Sequence, residues 1–360
     1  MVRQLADLVS AESPSGDAWA IAHCADLLAA MGTELLGVEP ERRVVDDQTH
    51  LLWRFGPRVD VLLLGHLDTV WPLGTLAEWP FSTDGDIATG PGAFDMKAGL
   101  VQGLHALSVL DDLDGVGFLV TADEEVGSTS SRALIEDVAA GARATLVLEP
   151  SAGGALKTAR KGVSVYRVDV RGRAAHAGLE PEKGANALIE LAHQVLRLEG
   201  LARPHAGTTV TPTVAAAGTT TNTVPAAAHV DVDVRVADGA EQQRVDVAMR
   251  ALSPTVPGTA VDVSGGPNRP PLPAASSARL AARAVALAAE LGLGPLATCE
   301  VGGGSDGNFT AALGVPTLDG LGAVGNGAHA RGEHVVVPAM AERAALVAAL
   351  VDDVRGWPGR

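Results

Sequence analysis

Apolar residues follow two rhythms along this chain, and the change of rhythm divides it. Up to about residue 157, near-continuous apolar runs of strand length alternate with stretches in which apolar residues return every three to four positions. VDVLLLGH (59–66), GVGFLVTADEE (115–125) and ATLVLEP (144–150) are of the first kind, and such runs suit strands buried on both faces of a sheet. Between them, MKAGLVQGLHALSVL (96–110) and SSRALIEDVAAGA (130–142) have helical spacing. The alternation predicts an α/β layer built on a mostly parallel sheet. Ahead of it, residues 2–34 read as helix: ADLVS, a turn at SPSGD, then AWAIAHCADLLAAMG with its last Gly as a C-cap.

From about 158 the rhythm shortens to two. VSVYRVDVRGRAAHAG alternates, NALIELAHQVLRLEG is helical, and TVTPTVAAAGTT and AHVDVDVRV supply further strands, which predicts an α+β domain with one exposed sheet face. GGPNRPPLP (265–273) reads as a linker, and SARLAARAVALAAELG after it as an amphipathic helix. The expected map is a catalytic domain made of 1–157 and 269–360, interrupted by an inserted domain at 158–268.

Composition removes several function classes. A chain of 360 residues with 47% hydrophobic and 19% charged residues is an ordinary globular sequence. It has no apolar run near the roughly 20 residues that cross a bilayer, and MVRQLADLVSAESPSGD lacks a basic patch followed by an apolar stretch, so a cytoplasmic location is expected. A net charge of −16 argues against nucleic acid or an anionic membrane as partner, though local Arg and Lys can still bind a small anion. With only Cys24 and Cys299 there is neither a disulfide framework nor a thiolate metal site. Any metal must use imidazole and carboxylate.

Such groups recur where apolar strands end. GHLDTV places His66 and Asp68 two apart, on one side of extended chain, an arrangement in which a carboxylate fixes a ring whose other nitrogen binds metal. TGPGAFDMKAG delivers Asp95 from a Gly-rich turn at the start of a helix, where a plain helix cap is the competing reading. TADEEVGS pairs Glu124 with Glu125; both reach one site only if the chain turns at VGS, one then binding metal and the other moving protons. LVLEPS ends a further strand at Glu149, and GAHARGEHV offers His329 in a Gly-rich loop, with Glu333 and His334 nearby. Each has a bland alternative, but ligands of open α/β sheets gather beyond the strands' carboxyl ends, so these sites converge. His105 and His193 fall within helical patterns, His23 stands apart, and Arg160 and Lys161 read as a solvated loop.

HLDTV, GAFDMKAG, DEEVGS, LEPS, GRAAHAG and GAHARGEHV, in that order and covering essentially the whole chain, resemble the di-zinc metallopeptidase family of glutamate carboxypeptidases, aminoacylases and succinyl-diaminopimelate desuccinylases. The resemblance implies an α/β zinc-hydrolase domain carrying an inserted α+β, ferredoxin-like lid and dimerisation domain. It implies two Zn2+, with Co2+ or Mn2+ able to fit the same ligands: His66 and Glu149 on one, Glu125 and His329 on the other, Asp95 between them. Glu124 would be the general base and Asp68 the support of His66. A cis peptide is implied between Asp95 and Met96. His176, in GRAAHAG, would act across a homodimer on the scissile carbonyl. Asn222, Arg235 and the Gly304 and Ser305 loop (GGGSD) would hold a substrate carboxylate.

The implied reaction is release of a C-terminal amino acid from an N-acyl amino acid or short peptide. N-deacylation of the aminoacylase or desuccinylase kind is the near alternative. A non-catalytic metal-binding protein is the alternative of another class, against which the intact Glu124 speaks, and a di-metal phosphoesterase is a third.

Overall fold

The structure, a computed structural model, describes residues 1–357. It divides into two compact units: Met1–Arg160 with Leu272–Val301 and Ser305 onward, and Lys161–Pro271 with Gly302–Gly304.

The first unit is layered about a six-stranded sheet in the order Glu41–Val45, Gln48–Phe55, Val116–Thr121, Val61–His66, Ala144–Val147 and Thr317–Leu318. The last four strands are parallel to one another, and the first two form an antiparallel edge. Val61–His66 and Val116–Thr121 are buried along their whole length because alternate residues enter different cores. Val61, Leu63, Phe118 and Val120 pack with the helices Val2–Ser10, Ala18–Leu36, Ala98–Ser108, Ala274–Glu290 and Val337–Arg355, while Leu62, Leu64 and Leu119 meet Ile135, Val138 and Phe309. Strands sandwiched in this way need no polar face, hence the continuous apolar runs.

The SPSGD turn separates two helices: Val2–Ser10 stops, and Asp17 starts Ala18–Leu36 by accepting from the backbone N–H of Ala20 at 3.0 Å. The second helix does not end at Gly32, as expected from its sequence; it runs to Leu36 and closes at Gly37, whose φ is +71°. Gly32 is a packing residue. A Cβ there would lie 2.3 Å from Cζ2 of the fully buried Trp53, so Gly32→Ala is expected to lower stability by about 1–3 kcal/mol. Thermal denaturation checks this, and an unchanged Tm would mean that the indole relocates freely.

The second unit is a four-stranded antiparallel sheet in the order Thr209–Ala217, Ala227–Val236, Gly162–Arg171, Ala260–Arg269, with helices Ala187–Glu199 and Gly239–Arg250 completing a βαββαβ order. One sheet face is apolar: Tyr166, Val168, Val170, Val230, Val232 and Val234 pack on Leu191, Leu198, Val245 and Met249. The stretch 265–273, expected as a linker, is largely strand. Its chain stays paired with Gly162–Arg171 as far as Arg269, and Pro267, which has no N–H to donate, sits beside a register shift on that edge strand.

A small third sheet in the first unit sets up the site. His334–Val336 pairs with Gly325–Asn326 on one side and Ile87–Thr89 on the other. The loop carrying His329 is therefore held beside the turn that carries Asp95. No helix among the described residues is long and apolar enough to cross a membrane.

Candidate active site

His66 is the last residue of its strand, Glu149 lies just past the end of Ala144–Val147, and the pair Glu124 and Glu125 follows Val116–Thr121 in a single tight helical turn. Three neighbouring parallel strands thus aim their carboxyl ends at one place. Asp95 arrives from the Gly-rich turn. Gly92 there has φ +72°, and a Cβ would stand 2.4 Å from Thr69 Cγ2, so only Gly fits. The Asp95–Met96 peptide is cis.

Asp95 is the centre of the arrangement. Its Oδ1 lies 3.3 Å from His66 Nε2, and Glu149 Oε1 lies 3.4 Å from that same nitrogen. Its Oδ2 lies 3.3 Å from His329 Nε2, which is also 3.0 Å from Glu125 Oε1. One carboxylate therefore splits its two oxygens between two imidazole–glutamate pairs. Ligand atoms of His66, Asp95 and Glu125, and likewise of His66, Glu124 and Glu149, lie within 4.8 Å of one another.

The hydrogen bonding of these groups suits a cation among them. His66 Nδ1 is 3.0 Å from the backbone oxygen of Asp68, which can only accept, so Nδ1 carries the proton. In the neutral ring, Nε2 then turns a lone pair toward two carboxylate oxygens. Asp95 Oδ1 is buried and has no hydrogen-bond partner. Lone pairs facing each other repel, and either a second proton on each ring or a cation among them relieves this. Without a cation, hydrogen bonds to Asp95 and Glu125 raise His329 to about 10. His66 is also raised: burial opposes its charge, but Asp68, Asp95 and Glu149 outweigh burial. Burial likewise works against ionised Asp95, yet His329 and His66 hold its carboxyl well below the usual range. Two imidazoles, the surrounding carboxylates and an orphaned carboxylate oxygen fit divalent metal.

Asp68 does more than orient a ring. It is fully buried, and its Oδ1 and Oδ2 accept the backbone N–H groups of Glu124 and Glu125 at 3.1 and 3.2 Å, with Ser15 Oγ donating to Oδ2 at 2.7 Å. One residue thus places both the His66 ring and the acidic turn: its backbone oxygen and Oδ1, at 3.0 and 3.4 Å, face His66 Nδ1, and its carboxylate holds the turn. Glu333 plays the same part for Asp95. Fully buried, it accepts from the backbone N–H of Gly92, Phe94 and Asp95 at 3.0, 2.8 and 2.8 Å and from Trp71 Nε1 at 2.9 Å. His334, the rival to His329, has its Nδ1 3.0 Å from the Gly332 carbonyl and is not part of the cluster.

Several expectations change. Ser305, expected as a substrate contact, is fully buried; its hydroxyl donates to Asp319 at 2.6 Å and its N–H to Asn308 Oδ1 at 2.9 Å, leaving it a supporting role. Arg160, expected in a solvated loop, is buried between Glu149 and Asp319. Gly304 groups with the second unit, against Val163 and Arg269. Within that unit His176 bridges to Thr223, and the Asn222 carbonyl accepts from the N–H of Ala177, so His176 and Asn222 stand together beyond one end of the sheet. Arg235 lies at the other end, ion-paired to Asp233 at 2.7 Å. Eight residues of Ala227–Val236 separate the ends, roughly 26 Å at strand rise. Asn222 and Arg235 of one copy therefore stand toward opposite ends of the sheet.

Glu333 and Asp319 were not singled out for the site from sequence. Glu333 was readable only as a neighbour of His329, and Asp319 stands in TLDG with no partner near it along the chain.

A layered, mostly parallel sheet whose strand ends gather imidazole and carboxylate is an α/β fold with a candidate metal site at the edge where such folds bind ligands. A family model described as "Peptidase family M20/M25/M40" matches residues 62–353. Carboxypeptidase G2 of Pseudomonas sp. (strain RS-16) is 34% identical over 98% of this chain and 89% of its own length. A succinyl-diaminopimelate desuccinylase of Methylorubrum populi is 32% identical over 81% of each. Among solved structures, the M20 family metallo-carboxypeptidase Sso-CP2 of Sulfolobus solfataricus shares the fold, with a TM-score of 0.76 at 16% identity over 97% of this chain and 98% of its own. The chain belongs to peptidase family M20/M25/M40 and is a hydrolase acting on peptide or amide bonds.

Proposed function

We propose that the protein is a two-zinc carboxypeptidase that releases a C-terminal amino acid, glutamate foremost, from N-acyl or peptidyl amino acids. The observation that carries this reading is the division of Asp95 between the pair His66 and Glu149 and the pair His329 and Glu125, which suits a shared ligand of two ions. Zinc, when bound, supplies Lewis acidity and brings water's pKa toward neutrality.

The rest is the work of this chain's side chains. Asp68 holds the His66 ring and the Glu124 backbone in register. Glu124, half-buried at the edge of the cluster, takes a proton from the attacking water and returns it to the leaving nitrogen. His176, from a partner subunit, donates a hydrogen bond to the scissile carbonyl as its oxygen gains charge. Since Asn222 and Arg235 are far apart in one copy, the pairing that suits a single substrate carboxylate takes Asn222 from one subunit and Arg235 from the other, with Gly304 alongside. The second unit is then both lid and dimerisation domain.

The test is zinc-loaded protein offered N-acyl glutamates, dipeptides, N-acetyl and N-succinyl amino acids and a phosphate ester, alongside metal analysis. Two zinc equivalents per chain and turnover of the glutamate-terminated substrates are expected, with activity lost to a chelator and restored by zinc. Preference for N-succinyl substrates would move the assignment to deacylation, the reading favoured by the desuccinylase relative. No hydrolysis of any amide would end it.

A further inference from the structure

Glu149 meets different chemistry at its two oxygens. Oε1 faces His66 Nε2 at 3.4 Å, while Oε2 accepts from Arg160 Nη2 at 3.1 Å and lies 3.9 Å from Lys157 Nζ. Arg160 is itself held from behind. Its Nε and Nη2 donate to Oδ2 and Oδ1 of the fully buried Asp319 at 2.7 and 2.9 Å, a planar two-point grip that fixes the guanidinium. Ser305 Oγ donates to Asp319 Oδ2 at 2.6 Å. The strand Leu156–Arg160 adds backbone restraint: Arg160 exchanges both backbone hydrogen bonds with Leu272 at 3.0 Å.

We propose that Arg160, set by Asp319 and Ser305, is a positioning residue that keeps Glu149 a one-oxygen ligand. Resting on the two-metal reading above, this means that Oε2 is engaged by the guanidinium and only Oε1 is offered to the metal. Two consequences follow. With a metal bound, a coordination position would stay open on the His66 side, which a catalytic site requires and a closed structural site lacks. Arg160 also offsets part of the charge on Glu149, so Glu149 would quench the acidity of a bound metal less. A surface role is excluded by burial, and packing alone does not call for a fork pointed at one oxygen of a carboxylate that faces His66. Lysine cannot substitute fully, because an ammonium lacks the geometry to grip Asp319 at two points and reach Glu149 at once.

The experiment uses the full-length protein loaded with Co2+, whose visible absorption reports coordination number. In Arg160→Met the freed Oε2 is expected to join Oε1. Both metals stay bound, absorption weakens as one ion gains a ligand, and kcat falls about 10–100-fold with KM nearly unchanged, the range typical of lost outer partners of a metal ligand. Arg160→Lys should fall between. Because Arg160→Met leaves Asp319 buried without its counter-ion, Arg160→Met/Asp319→Asn is made in parallel, and it should give the same weakened spectrum. A wild-type spectrum and kcat in a folded variant with both metals would overturn the proposal. So would loss of one metal with no change in the spectrum of the other. Failure of the wild-type protein to bind two metals would instead sink the two-metal reading, so the two failures are distinguishable.

Discussion

Glu124→Gln is expected to lower kcat by about 10²–10⁴-fold while two metal equivalents and substrate binding persist. The amide matches the carboxylate in size and keeps the backbone N–H that Asp68 Oδ1 accepts at 3.1 Å, so the turn is undisturbed and only the ability to take a proton goes. Glu125→Gln should behave differently. Glu125 Oε1 stands 3.0 Å from His329 Nε2, and its side chain is 7% exposed, so an amide there weakens one metal's hold and activity returns at high zinc concentration. The comparison matters because the two acids are adjacent, and Glu124 also lies within 4.8 Å of His66 and Glu149 ligand atoms. Metal stoichiometry beside kcat for both variants separates the roles. Should Glu124→Gln lose a metal and Glu125→Gln keep both, base and ligand change places.

How far the sequence could carry this follows from the range of each interaction. The parallel sheet was legible because burial on two faces is written into contiguous residues such as Val61–His66, and strand ends are where α/β folds put ligands. Helix limits were less so. Gly32 looks like a cap because nothing in the local sequence shows Trp53 lying against it, and Pro267 looks like linker because its tolerance on an edge strand depends on which side of that strand is unpaired. The same limit applies within the site. His66 and Asp68 are two residues apart and could be read together. Arg160 with Asp319, and Glu333 with the 92–95 backbone, are joined across 159 and about 240 residues, and no local pattern announces such pairs. The sequence of Ser305, in a Gly-rich loop, suggested an exposed contact, whereas Asn308 and Asp319 use its N–H and hydroxyl.

The long-range partner with the largest expected effect is Glu333. Four N–H donors converge on it: Gly92 and Trp71 on Oε2, Phe94 and Asp95 on Oε1. Burial pushes its carboxyl above the ordinary range, and those donors pull the other way; with only donors around it, the ionised form is the one the site accommodates. Glu333→Ala orphans all four. At roughly 1–3 kcal/mol for each unsatisfied buried donor, reduced where water enters the vacated space, the expected loss is about 4 kcal/mol, a large part of a typical 5–15 kcal/mol total. Glu333→Gln is the more telling variant. Its single oxygen can keep Phe94 and Asp95, but its NH2 then faces the N–H of Gly92 and of Trp71, donor against donor, for a loss of about 2 kcal/mol. Because the lost bonds hold the turn that presents Asp95, both variants should also release metal at chelator concentrations that leave the parent loaded. Chemical denaturation of the metal-free proteins gives the first quantity and chelator titration the second. If Glu333→Gln matched the parent in both, the turn would be held by its glycines and not by the carboxylate. Asp95 would then owe its place to local backbone geometry alone.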